Sequence, residues 1–175
     1  MVQEVSMDIF IRSEQSTDVD GIERVTLAAF TGKFRDNPTE HLIVNGLRDA
    51  GALSLSLVAE VDEKIVGHVA FSSVTINGDN LNWYGLGPIS VVPELQKQGI
   101  GSKLIHEGLS AIRAFGAKGC VLEGSPAYYQ RFGFRTYPGL IYEGSPAPEY
   151  FMALPFYEDV PVGKVEYHRA FYIGI

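Results

Sequence analysis

Gln96-Lys97-Gln98-Gly99-Ile100-Gly101 follows an apolar segment, Gly87 to Val92, and opens a stretch in which Ile100, Leu104, Ile105, Leu109 and Ile112 recur at helical spacing. The unit therefore reads as strand, tight turn and amphipathic helix. Two glycines let the backbone turn sharply and approach a ligand, and the free N–H groups of the first helical turn face anionic oxygens. A phosphate-bearing ligand fits such a turn. A P-loop would place Lys and Ser/Thr directly after the second glycine, and a dinucleotide fingerprint would place a third glycine three residues on. Here Ser102-Lys103 follow Gly101 and Leu104 stands where the third glycine belongs, which excludes both.

A second segment narrows the choice. After an expected strand, Gly119-Cys120-Val121-Leu122, comes Gly124-Ser125-Pro126-Ala127-Tyr128-Tyr129-Gln130-Arg131-Phe132-Gly133-Phe134. The first stretch resembles the acyl-coenzyme A signature of the GCN5-related N-acetyltransferase (GNAT) superfamily, Gln/Arg-x-x-Gly-x-Gly/Ala after a Val-x-Pro-like step, here Val91-Val92-Pro93. The second resembles that superfamily's tyrosine-bearing short helix ending in a Gly-Phe step. The nearest likeness is to a small bacterial subgroup with a Pro-Ala-Tyr-Tyr-x-Arg-Phe-Gly-Phe segment, and it extends over roughly residues 8 to 172.

The resemblance implies a single domain over residues 1–175 of the α/β (α+β) class. Its expected form is a mixed, mostly antiparallel central sheet flanked by helices, with splayed central strands. It implies transfer of the acetyl group of acetyl-CoA to a primary amine by direct attack in a ternary complex. The alternative is a non-catalytic acyl-CoA sensor, or an interaction module that keeps the fold. Acetyl-CoA is the expected cosubstrate, and no metal is expected.

Composition agrees. A chain of 175 residues with 46% hydrophobic content suits one domain with a substantial core. The net charge of −7 speaks against nucleic acid and anionic membrane as main partners; it mildly suits a cationic acceptor such as an amine, while acidity that simply keeps the protein in solution is the plainer reading. Cys120 is the single cysteine and sits in an apolar strand, so it reads as a structural thiol. The N-terminal residues carry no basic segment and no long apolar stretch. The reading is a cytoplasmic protein without signal peptide or membrane span. Relatives are often dimers, so a homodimer is compatible with the resemblance.

Asp8 to Arg12 reads as a strand and Thr17 as the start of a helix with Ile22, Val25 and Ala29 on one face. Asn37-Pro38-Thr39-Glu40 reads as a second helix start, with Asn37 as cap and Pro38 at the first helical position. Leu53 to Leu57, Ile65 to Ile76 and Leu81 to Val92 form an expected antiparallel meander, the last interrupted by Gly85, Gly87 and Pro88 in the manner of a bulge. Tyr150 to Phe156 reads as a late strand, and Val165 to Tyr172 as a final edge or short helix.

The resemblance places the pantetheine arm against Ile89, Ser90 and Val91. It places the phosphates at Gln96, Lys97, Gln98, Gly99, Ile100, Gly101 and Ser102. Gln96 and Gln98 replace the arginine often found in the signature, so backbone N–H groups carry most of the expected donors. Tyr129, four residues before Gly133, matches the tyrosine that protonates the departing thiolate; Tyr128 is its neighbour. An alkylamine with a pKa of roughly 10 must lose a proton before it attacks. Glu123, closing the strand beside the expected gap, is the best single candidate to accept that proton, ahead of His68 and Glu60; the alternative, found in many relatives, is bound water with no dedicated base. Phe34, Arg35 and Asp36, between the first two helices, are candidates for acceptor contact.

Overall fold

The computed structural model describes residues 7–33 and 36–173. Six strands, β1 (Phe10–Ser13), β2 (Leu55–Val61), β3 (Lys64–Ser73), β5 (Trp83–Val91), β6 (Gly119–Glu123) and β8 (Phe151–Pro155), form the main sheet in the order β1-β2-β3-β5-β6-β8. Only β5 and β6 run parallel; the other pairs are antiparallel. Three short strands, β4 (Thr75–Ile76), β9 (Gly163–Glu166) and β7 (Leu140–Ile141), form a second sheet in the order β4-β9-β7. The helices are α1 (Val19–Phe30), α2 (Glu40–Asp49), α3 (Ile100–Ala114) and α4 (Pro126–Tyr129). No described helix is long and apolar enough to cross a membrane.

Strand alternation sends successive side chains to opposite faces, and each face acquires its own core. On one face Leu57, Val69, Phe71, Leu86, Cys120, Leu122 and Met152 meet the buried stripe of α3, Ile100, Leu104, Ile105, Leu109 and Ile112. Each of these α3 side chains contributes roughly 1.5–3 kcal/mol by leaving water. Small residues set the closeness of packing: a Cβ on Gly108 would lie 2.3 Å from the Phe71 ring. On the other face Val74, Trp83, Val121, Phe151 and Ala153 pack under the small sheet, and Ile22, Val44 and Val58 join α1 and α2 to β2. Cys120 is fully buried, as a structural thiol should be, and burial raises its pKa.

Two helix starts differ from the sequence reading. A 3-10 turn at Ser16–Asp18 precedes α1, because Asp18 takes the Gln15 N–H at 2.6 Å and a two-pronged contact from Arg12. Those bonds occupy the carboxylate and move the α-helix past Thr17. Helix α2 begins at Glu40 with Thr39 before it, so Asn37 and Pro38 lie in the approach to the helix.

A polar chain crosses the apolar sheet. Arg48 donates to Glu14, and the Ser56 hydroxyl donates to the same carboxylate at 3.0 Å while meeting His68 Nε2 at 2.8 Å. Ser56 has one hydrogen and gives it to Glu14, so His68 is the Nε2–H tautomer donating to Ser56. Burial holds the His68 pKa down at about 4, which leaves the ring neutral. Glu14 stays below the ordinary carboxylate range because Arg48 and Ser56 outweigh its burial, and Asp18 does so because Arg12 bonds it.

All three groups have folded pKa values below their unfolded ones, so the unfolded chain binds more protons at acid pH and stability falls as pH falls. For His68 the loss runs from about pH 6.5 to 4 and amounts to roughly 3 kcal/mol. The carboxylates add theirs as the pH falls from about 4 through their lowered folded values. Melting temperature is therefore expected to drop steadily from pH 7 to 4, and more steeply than for His68→Gln. A flat profile over that interval would contradict the buried neutral imidazole.

Candidate active site

β5 and β6 pair only where Trp83, Tyr84 and Gly85 face Gly119, Cys120 and Val121. Beyond Gly85 the strands part. The cause lies in the expected bulge: Val69 pairs with Ile89 and Phe71 with Leu86, so Ala70 alone stands opposite Gly87 and Pro88. The extra residue bends β5 away from its neighbour, and Pro88 brings no N–H to offer.

The freed edge forms one wall of a cleft of about 620 Å³. Ile89, Ser90 and Val91 line it along the strand, and Gln96, Lys97, Gly99, Gly101 and Ser102 line it around the turn into α3. Two residues in left-handed conformation, Lys97 (φ 64) and Gly99 (φ 89), wrap that turn. Gly99 is the N-cap of α3 with no side-chain cap bond, so the first-turn N–H groups remain available for an anion. Gln96 is spoken for: its side-chain amide donates to the Val91 carbonyl at 3.0 Å, fastening the turn to the strand. Ile100 is buried in the core, where its side chain anchors α3 and only its backbone faces the turn. Gln98 is exposed and does not line the cleft.

Among the described residues three cations, Lys33, Lys97 and Arg131, line the cleft and no carboxylate does. In a chain of net charge −7 that concentration of positive charge selects an anionic ligand.

Comparison with known proteins agrees with this geometry. The model of the acetyltransferase (GNAT) domain matches residues 53–136. The N-acetyltransferase YhbS of Escherichia coli strain K12 is 38% identical over 127 residues, which is 72% of this chain and 73% of that protein. A GNAT family acetyltransferase of Brucella melitensis, solved with acetyl-CoA, is 48% identical over 94% of this chain and 98% of its own, with a TM-score of 0.84. The solved structure of Escherichia coli YhbS with CoA superposes with a TM-score of 0.89 at 32% identity, over 99% of this chain and 97% of that one.

The chain belongs to the GNAT acetyltransferase family. Its main sheet is the mixed, mostly antiparallel sheet with splayed central strands that the sequence resemblance implied, with a small three-stranded sheet beside it.

Within this GNAT domain the two neighbouring tyrosines part company. Tyr128 lines the cleft beside α3, its hydroxyl 3.1 Å from where a Cβ on Gly101 would stand, and Arg131 lies over its ring at 4.6 Å. Tyr129 turns the other way, its ring against Gly124 just past the end of β6, edge-on to Phe134 and Tyr128. Tyr128 thus lines the cleft near the turn into α3, whereas Tyr129 packs beside the end of β6 and is not among the residues lining the cleft. Burial raises both phenols, Tyr129 to about 12.

Glu123 ends β6 opposite Phe151, on the face away from α3. Partial burial raises its pKa, opposed by a hydrogen bond from Ser145. His68 lies under α1 and bonds Ser56, while Glu60 is held by Arg12 at the β1–β2 edge, away from the fork. Asp36 is exposed; Phe34 and Arg35 lie outside the described residues. Lys33, Leu95 and Arg131 also line the cleft and were not anticipated from sequence. Arg131 follows Tyr128 by three residues in the short helical segment, a spacing that places it beside that ring; nothing in the sequence near Lys33 signals its place.

Proposed function

We propose that this protein transfers the acetyl group of acetyl-CoA to a primary amine by direct attack in a ternary complex. The observation carrying the reading is the cationic cleft that joins the free β5 edge to the N-terminus of α3. Pantetheine would pair with Ile89, Ser90 and Val91 as an added strand, and the pyrophosphate would lie against the N–H groups of residues 97 to 102. Support comes from the solved relatives, one with acetyl-CoA and one with CoA.

In this reading Glu123 takes a proton from the ammonium, and the amine attacks the thioester carbonyl. An N–H of the Ile89–Val91 edge holds the oxyanion. As the C–S bond breaks, Tyr129 protonates the thiolate and recovers a proton from the new amide nitrogen. Tyr129 suits that part because its phenol keeps its proton at neutral pH.

The test is calorimetric titration with acetyl-CoA followed by thiol release with a panel of primary amines. Micromolar binding and amine-dependent thiol release are expected. Gly99→Val forces a β-branched residue into φ 89, at a cost of roughly 1–3 kcal/mol, and disturbs the turn. It should weaken acetyl-CoA binding by about tenfold or more. Unchanged affinity would sink the assignment of the turn to the phosphates.

A further inference from the structure

The face of the sheet opposite α3 carries a second groove, of about 420 Å³. Its aromatic wall begins at the fork. Tyr167 is buried against Gly85, the last β5 residue paired with β6, and a Cβ there would come within 2.5 Å of its ring. Tyr142 stands edge-on to Tyr167 with centroids 4.9 Å apart and leans on Phe151, the residue opposite Glu123. Tyr142 and Tyr172 share a hydroxyl hydrogen bond, and with Tyr167 they line the groove. Ser72 lies across from Gly85, and its fully buried hydroxyl has no partner.

Charge decides what such a groove takes. Glu143 and Glu166 line it, and Glu123 adjoins it through Tyr142, which its carboxylate reaches electrostatically. Against these three carboxylates the lining has one cation, Lys164, bridged to Glu143 at 2.8 Å. Glu123 and Glu166 make no ion pair among the described residues. An anion is repelled, and a neutral ligand leaves two carboxylates uncompensated. Tyrosine rings beside carboxylates attract ammonium groups through both the ring quadrupole and the charge.

We propose that this groove is the acceptor subsite and that it takes an aliphatic amine carrying a second positive charge. The reacting nitrogen lies toward Glu123 at the fork and the second cation toward Glu166. The assignment rests on the transferase reading above, and it adds the substrate class. Acetyl-CoA enters from the α3 side and the amine from the opposite side, so the two meet where β5 and β6 part.

The test titrates CoA-saturated protein with 1,4-diaminobutane and, separately, with butylamine, which has the same reacting amine and no second charge. The diamine is expected to bind at least about tenfold more tightly at low salt. The preference should shrink in high salt, where the rim charges are screened, and in Glu166→Gln. Equal affinities, or no diamine binding, overturn the proposal. So does a preference that persists undiminished in Glu166→Gln with its melting temperature intact. Thiol release from acetyl-CoA is followed on the same protein. Diamine binding without thiol release overturns the transferase reading while leaving the selectivity of the groove standing.

Discussion

Replacing Tyr129 by Phe is expected to lower the rate of acetyl transfer about a hundredfold while leaving acetyl-CoA affinity nearly unchanged. The substitution keeps the ring that packs on Gly124 and Phe134, so the fold around the end of β6 should persist. Only the hydroxyl is lost. In the proposed mechanism that hydroxyl protonates the leaving sulfur, and with its pKa raised to about 12 it arrives protonated. Single-turnover thiol release, set beside the calorimetric dissociation constant, separates the chemical step from binding. A rate equal to that of the parent would move the role to Tyr128 or to water. It would also favour the sensor alternative, which needs no proton donor.

Adding one methyl group at Gly85 should be felt in both stability and turnover. The new Cβ of Gly85→Ala would lie 2.5 Å from Tyr167 Cε1, and that ring is hemmed in by Tyr142 and Phe171. Overpacking of this kind costs roughly 1–3 kcal/mol, or about 2–12 °C in melting temperature for a chain of this size. Displacing Tyr167 also shifts the aromatic wall beside the fork, so amine turnover should fall further than unfolding explains. Differential scanning calorimetry with an assay well below the melting point distinguishes the two. Wild-type stability would mean that Tyr167 yields freely and that the fork is not tightly packed.

Much of this fold was legible because local pattern and tertiary role coincide. The α3 stripe from Ile100 to Ile112, the β2–β3–β5 meander and the Gly87-Pro88 bulge each follow from a short run of residues. The GNAT resemblance supplied the splay. The small sheet was not legible: β4 and β7 have two residues each and β9 four, too few for a period. The start of α1 was misplaced because Arg12, from another element, holds Asp18. Of the expected site residues, those of the β5 edge and most of the turn line the cleft. Gln96 is tied by Val91 and Ile100 by the core, contacts that sequence spacing does not encode. Where Tyr128 and Tyr129 point depends on α4 being a single turn that changes pitch at Gln130.

The open edge of β5 also bears on self-association. Unpaired strand edges ordinarily sit at the margin of a sheet, where they invite another chain to add itself. Here the vacancy is in the middle, with α3 across one face and Tyr167 at its root on the other. A polypeptide strand entering it would bring side chains above and below, into space those groups already fill. The walls that would admit the proposed cosubstrate thus shield the backbone from aggregation.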